Sequence, residues 1–222
     1  MVQFSLPLVK TQPVRIPPLE NGDRLSRDEF EKRYAEWPDS RAELIEGIVD
    51  MAAALRFKIR SKPYSQLNCW LLVYHVLMPG TELGDTPSDR LDSNNEPQSD
   101  LVLIWDADRG GQTRISLDDY IEGAPEFIAE ISASTVSIDL GSKKTAYERN
   151  GVQEYLVWRV LDQEIDWFWL ENDRYSLLQP DDDGITRSRI FPGLWLDRSA
   201  LIRGEMNRVL DVVRQGVAET QK

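Results

Sequence analysis

The chain has 222 residues, 29% of them charged and 41% hydrophobic, enough for one well-buried core. Asp and Glu outnumber Lys and Arg by 38 to 26, a formal charge of −12, which excludes a generally basic nucleic-acid binder but leaves room for a local basic groove. A single cysteine (Cys69) and a single histidine (His75) exclude an internal disulfide and a zinc site of the Cys/His type.

Residues 1–22, with Pro7, Pro13, Pro17 and Pro18, read as an extended N-terminal arm, and 23–222 as one domain. No apolar run is long enough to span a bilayer and no export signal precedes the prolines, so a cytoplasmic protein with no membrane contact is expected. Ser26-Arg27-Asp28-Glu29 is a capping box opening a short helix through Phe30, Tyr34 and Trp37, ended by Pro38. Residues 42–51 read as two short strands bent at Gly47. Arg56, Lys58, Arg60 and Lys62 alternate with Phe57, Ile59 and Ser61. In an extended chain all four basic side chains point to one side, either as the solvent face of a strand or as a phosphate track.

Residues 63–78 start at a proline and are apolar nearly all round, which predicts a buried helix with His75 and Cys69 as core residues. Residues 84–97 read as a loop. Residues 99–105 and 126–132 carry continuous apolar runs and predict inner strands. Asp139 to Asn150 reads as a helix, with Asp139 as its N-cap and Gly151 at its close. Residues 153–160 and 164–171 predict a hairpin, in which Trp167 and Trp169 at strand period serve core or interface. A second hairpin is expected from 174–178 and 185–190 around Asp181-Asp182-Asp183-Gly184. Residues 199–217 form an amphipathic helix with Leu201, Ile202, Met206, Val209, Leu210 and Val213 on one face. No repeat is evident, and the alternation predicts one mixed α/β domain.

Four side chains lie at ends or bends of these elements: Glu43, Asp100, Glu130 and Lys143. Carboxylates on neighbouring strands make a hard oxygen site for Mg²⁺ or Mn²⁺. A lysine beside that ion can orient a water or hold a phosphate oxygen. A carboxylate inside an apolar strand, as Glu130 is, needs a partner to be there at all.

The wording around these residues adds a resemblance. The run Glu130 to Thr135, then Asp139, Lys143, Tyr147 and Gly151-Val152-x-Glu154-Tyr155, resembles the Uma-two family of restriction-endonuclease-like proteins. Leu25-Ser26-x-x-Glu29-Phe30, Glu43 to Gly47 and Phe191-Pro192-Gly193-Leu194 match as well, so the likeness runs over residues 24–202. It implies the PD-(D/E)XK nuclease core, a mixed central sheet flanked by helices, cutting DNA with Mg²⁺ or Mn²⁺, often as a homodimer. It makes Asp100 and Glu130 the motif acids. Asp100, Glu130 and the Ile131 carbonyl would hold the metal, and Glu43, the additional acidic residue, would bind it through water or hold a second ion. Ser132 stands where the superfamily usually has its lysine, and Lys143, rather than the adjacent Lys144, takes that part from the following helix. Ser99 replaces the usual proline, and the segment RFKIRSKPYSQ lacks the histidine common there. Two other readings compete: a non-catalytic scaffold that kept the fold, and a serine hydrolase through Ser132 or Ser134, which lacks a nucleophile elbow and a base.

Overall fold

The computed structural model describes residues 16–37, 41–51 and 56–221. Pro38 and residues 1–15 of the expected arm lie outside them. Residues 16–20 run without regular structure, and the following turn is tied down where Gly22 N–H donates to the Val49 carbonyl at 2.8 Å. Helix α1 (Arg27–Glu36) starts as its capping box predicts, with Ser26 Oγ accepting from Glu29 N–H, and buries Phe30 against the hairpin β1 (Ala42–Ile45) and β2 (Ile48–Met51).

The next segment departs from its sequence pattern. Phe57–Ser61 is a turn of π-helix that runs directly into α2 (Lys62–Leu77). Arg56, Lys58, Arg60 and Lys62 therefore do not form one side of a strand, because alternate residues of a helical turn diverge. Strong alternation of Arg and Lys imitates a strand, while the following helix imposes its own geometry backwards on the segment. Helix α2 is also one-sided rather than buried all round. Trp70, Leu71 and Tyr74 face the core, Leu72 and Val76 are exposed, and Cys69 and His75 are half-buried, His75 Nδ1 lying 3.2 Å from Thr81 Oγ1.

Six strands make the central sheet: β3 (Thr81–Asp85), β5 (Leu101–Trp105), β8 (Phe127–Ser132), β9 (Glu154–Arg159), β10 (Glu164–Glu171) and β11 (Arg174–Leu177), in the order β11-β10-β9-β8-β5-β3. Only β8 and β9 pair in parallel; all other neighbours are antiparallel, so the sheet is mixed. β5 and β8 are inner strands, and β8 is buried along its whole length. β3 is an edge strand in what reads as the lead-in to a polar loop. Short strands β4 (Asp89–Arg90), β6 (Arg114–Ile115) and β7 (Ile121–Glu122) form a small sheet of their own.

The second hairpin is not the one expected. β11 pairs with β10 across Asn172 and Asp173, both at positive φ (51° and 60°), as a two-residue hairpin loop of that type requires. The Asp181–Gly184 turn forms, but β12 (Thr186–Arg187) pairs with β13 (Trp195–Leu196) instead. Between β8 and β9 the chain is helical from α3 (Val136–Ile138) through a π turn (Asp139–Lys143) to α4 (Lys144–Asn150), which Gly151 closes. Asp139 is thus inside the helical segment and not its cap. The C-terminal helix is broken: Gly204 at φ 77° ends α5 (Arg198–Arg203), and α6 (Met206–Thr220) starts anew. An amphipathic stripe continues across the break, which hides it from periodicity.

Strand alternation sorts the core into two layers. Leu101, Leu103, Phe127, Ala129, Leu156 and Trp167 face α2 and α6. Val102, Ile128, Val157 and Tyr155 face the opposite way, against Tyr147 of α4. The second layer carries the site.

Candidate active site

Antiparallel pairing of β5 with β8 sets Leu101 opposite Ala129. One residue further on, that register brings Asp100 and Glu130 side by side, on the face shared by Val102 and Ile128. Both carboxylates are 3% exposed, and two ionised acids this close and this buried require cations. Two are supplied. Lys143, 4% exposed at the end of the π turn, places Nζ 2.9 Å from Glu130 Oε1 and 2.8 Å from Glu43 Oε2, and donates also to the Gln98 carbonyl at 3.4 Å. Arg60, on the π turn before α2, bridges the Asp100 carboxylate and the Ile131 carbonyl with its two terminal nitrogens. Asp100 Oδ2 in turn accepts from Ile131 N–H at 2.7 Å.

The structure thus brings Glu43, Asp100, Glu130, Ile131 and Lys143 to one wall, together with Arg60, which sequence patterning placed on a strand. A cavity of about 810 Å³ opens over them. Arg56 lines the same cavity, whereas Lys58 and Lys62 are exposed away from it. Lys144 turns outward over the Phe168 ring at 4.6 Å, so Lys143 is the lysine in the site. Ser132 is fully buried with its hydroxyl 3.4 Å from Thr135 Oγ1. The three acids do not converge on a common point: Glu43 and Glu130 face Lys143, and Asp100 faces Arg60. Among the described residues no group of three or more His, Cys, Asp or Glu side chains stands as a metal cage.

Electrostatics follow from burial. Burial raises the Glu130 carboxyl well above its ordinary range, against the pull of Lys143, and Asp100 is raised in the same way against Arg60. Burial alone would lower the Lys143 ammonium, but Glu130, Glu43 and Asp139 outweigh it and hold it well above the usual lysine value. Without a bound ion Lys143 is accordingly held as a cation.

Behind Glu130 lies a feature that no local sequence pattern assembles. Tyr147 Oη donates to Glu130 Oε1 at 3.2 Å and stands 3.2 Å from Ser99 Oγ, which donates to Asp89. All four residues are buried, and burial pushes the Asp89 carboxyl up to about 7. Ser99 therefore has a use that proline could not fill. Tyr147 is visible in the sequence only as part of a family phrase.

Residues 27–199 match the Uma2 family, described as "Putative restriction endonuclease". No curated protein matches the chain. Among solved structures, a chain from Anabaena variabilis ATCC 29413 described as a putative nuclease belonging to DUF820 superposes with a TM-score of 0.59 at 15% identity. The alignment covers 80% of this chain and 99% of that one, which establishes a shared fold. With more than half of its length matched, the chain belongs to the Uma2 family.

Proposed function

We propose that the protein is a metal-dependent endonuclease that hydrolyses DNA phosphodiester bonds with Mg²⁺ or Mn²⁺. The observation that carries this reading is the convergence of the Asp100 carboxylate and the Ile131 carbonyl on one cation, Arg60, beside the Glu130–Lys143 pair. Two hard oxygens that already grip a cation, with a second carboxylate adjacent, fit a divalent ion of that class. Asp100 and the Ile131 carbonyl would hold it, and Glu130 would join them by turning from Lys143 toward the ion. When bound, such an ion supplies charge stabilisation for transfer at phosphorus.

The chain's own groups do the rest. Lys143 has three N–H donors, and Glu130, Glu43 and the Gln98 carbonyl take all three, so the ammonium orients an attacking water or a phosphate oxygen once one of them is given up, the 3.4 Å contact to Gln98 being the longest. Glu43, held in turn by the Gln98 N–H at 3.0 Å, positions the lysine. Arg56, at the cavity wall, offers a phosphate contact that offsets the −12 charge locally.

Purified protein should nick duplex DNA in Mg²⁺ or Mn²⁺ and not in EDTA. Asp100→Ala, Glu130→Ala and Lys143→Ala should each remove most of the activity, and non-additively, because they act as a unit. Lys144→Ala should keep it. Folded wild-type protein that cuts neither single- nor double-stranded DNA with either ion would favour the scaffold reading.

A further inference from the structure

Arg60 contacts Asp100, and it holds two of the three ligands that the proposed function assigns to the divalent ion. A guanidinium cannot lose its charge, so it neutralises a carboxylate that is 3% exposed and otherwise costly to ionise. Metal–oxygen contacts are about 2.0–2.5 Å and leave no room for a guanidinium on the same lone pairs. The two cations exclude one another. Arg60 can give way: its side chain is 29% exposed, it lines the cavity, and it stands on a π-helical turn rather than in the sheet. Once displaced it remains a planar fork of donors at the mouth of the site, a shape that suits a phosphate bidentately.

We propose that Arg60 is an exchangeable internal cation: it occupies the Asp100 and Ile131 oxygens in the ion-free protein, yields them to the divalent ion, and turns its guanidinium to a phosphate of the nucleic acid. This rests on the nuclease reading above and adds an order to it, ion before substrate. The exchange also protects the fold, since Asp100 has a countercharge in both states.

The exchange is testable on the full chain without turnover. By calorimetry, Arg60→Ala should bind Mn²⁺ roughly tenfold more tightly than wild type, because no competitor has to leave, and Arg60→Lys should fall between them. In thermal unfolding Arg60→Ala should melt several degrees below wild type in EDTA, and the gap should close in saturating Mn²⁺. A purely structural arginine would leave the same gap in both. With Ca²⁺ present, Arg60→Ala should lower the salt slope of binding to a short duplex by about 0.7–0.9, the increment that a single neutralised phosphate carries. In EDTA the slope should not change.

Equal Mn²⁺ affinity in wild type and Arg60→Ala, with an undiminished melting gap, would overturn the exchange while leaving the metal site standing. An unchanged slope in Ca²⁺ would overturn the phosphate contact. Mn²⁺ binding that is the same in Asp100→Asn as in wild type, or absent in wild type and Arg60→Ala alike, would sink the metal-dependent reading itself. Should Arg60→Ala not fold without ion, Arg60→Lys carries the same comparison.

Discussion

Replacing Lys143 by Met removes the ammonium that sits 2.9 Å from Glu130 and 2.8 Å from Glu43, and keeps an unbranched apolar side chain out to Cε. Glu43 can reach water and retains the Gln98 N–H. Glu130 reaches it far less: it is 3% exposed and keeps the Tyr147 hydroxyl. Breaking a buried pair on one side typically costs about 3–5 kcal/mol. The lower end, about 3 kcal/mol, applies because a carboxyl whose affinity for protons is already raised by burial can escape by protonating. For a chain of this length that is about 6 °C in melting temperature. The pH dependence has a definite sign. A raised carboxyl binds its proton more tightly folded than unfolded, so its ionisation destabilises the fold as pH rises. Without Lys143 the folded state holds that proton more tightly still, so the deficit of Lys143→Met should be largest near pH 8 and shrink toward about pH 5. Adding Glu130→Gln should recover at least half of it, since the amide needs no cation. Urea denaturation of wild type, Lys143→Met and the double variant in EDTA, at about pH 5 and about pH 8, measures the deficit and its recovery. A deficit below about 1 kcal/mol at the higher pH, or one that grows on acidification, would refute a charged, buried Glu130–Lys143 pair.

Wild type should melt higher in Mn²⁺ than in EDTA, by roughly 2.7 kcal/mol at a hundredfold excess over Kd, and Asp100→Asn should lose most of that increment. Glu154 is buried under four donors: Trp167 Nε1 (3.2 Å), Ser188 Oγ (2.8 Å), Arg189 N (2.6 Å) and Ile190 N (3.3 Å). Glu154→Gln sets an N–H against some of them and should cost about 2–3 kcal/mol in urea. Burial pushes the Glu154 carboxyl up to about 7, so wild-type stability should decline as pH climbs from about 4.5 to about 7. Gly216→Ala pits propensity against packing: an alanine in α6 should add up to about 1 kcal/mol, but its Cβ would collide with the Gly193 carbonyl oxygen. Packing should win, with a net loss of about 1–3 kcal/mol read from the denaturation midpoint.

What could be read in the sequence was whatever has a strong local cause. β5 and β8 announce themselves by unbroken apolar runs, α1 by its capping box, and the end of α4 by Gly151. Elements decided by their neighbours were hidden. β3 is an edge strand made of Thr-Glu-Leu-Gly-Asp, held because Gly84 lets Val102 pack against it; a Cβ there would lie 2.7 Å from Val102 Cγ2. The turn at Asn172-Asp173 was overshadowed by the louder Asp181-Asp182-Asp183-Gly184 cluster, although both of its residues favour positive φ.

The site divides the same way. Asp100, Glu130 and Lys143 come from two neighbouring inner strands and the helical segment between β8 and β9. Their meeting follows once the pairing of β5 with β8 is granted. Arg60 reaches Asp100 across 40 residues and Ile131 across 71, through a π turn for which no pattern exists. Its alternation with Arg56, Lys58 and Lys62 pointed to phosphates as a stripe, whereas the folded turn directs one arginine inward and leaves Lys58 and Lys62 in solvent. Ser99 makes the same point from the other side. As a sequence feature it is a missing proline. In the fold its hydroxyl donates to Asp89 and stands 3.2 Å from the Tyr147 hydroxyl, which donates to the back of Glu130. A buried carboxylate with partners on both sides, an ammonium in front and a phenol behind, has its orientation held more tightly than a pair alone would hold it. Substituting proline at Ser99 would remove the donor to Asp89 and the hydroxyl beside Tyr147, one residue away from Asp100. If those contacts orient Glu130 toward Lys143, their loss should appear as weaker Mn²⁺ binding with little change in the denaturation slope. If those contacts only fill space, Mn²⁺ affinity should be untouched.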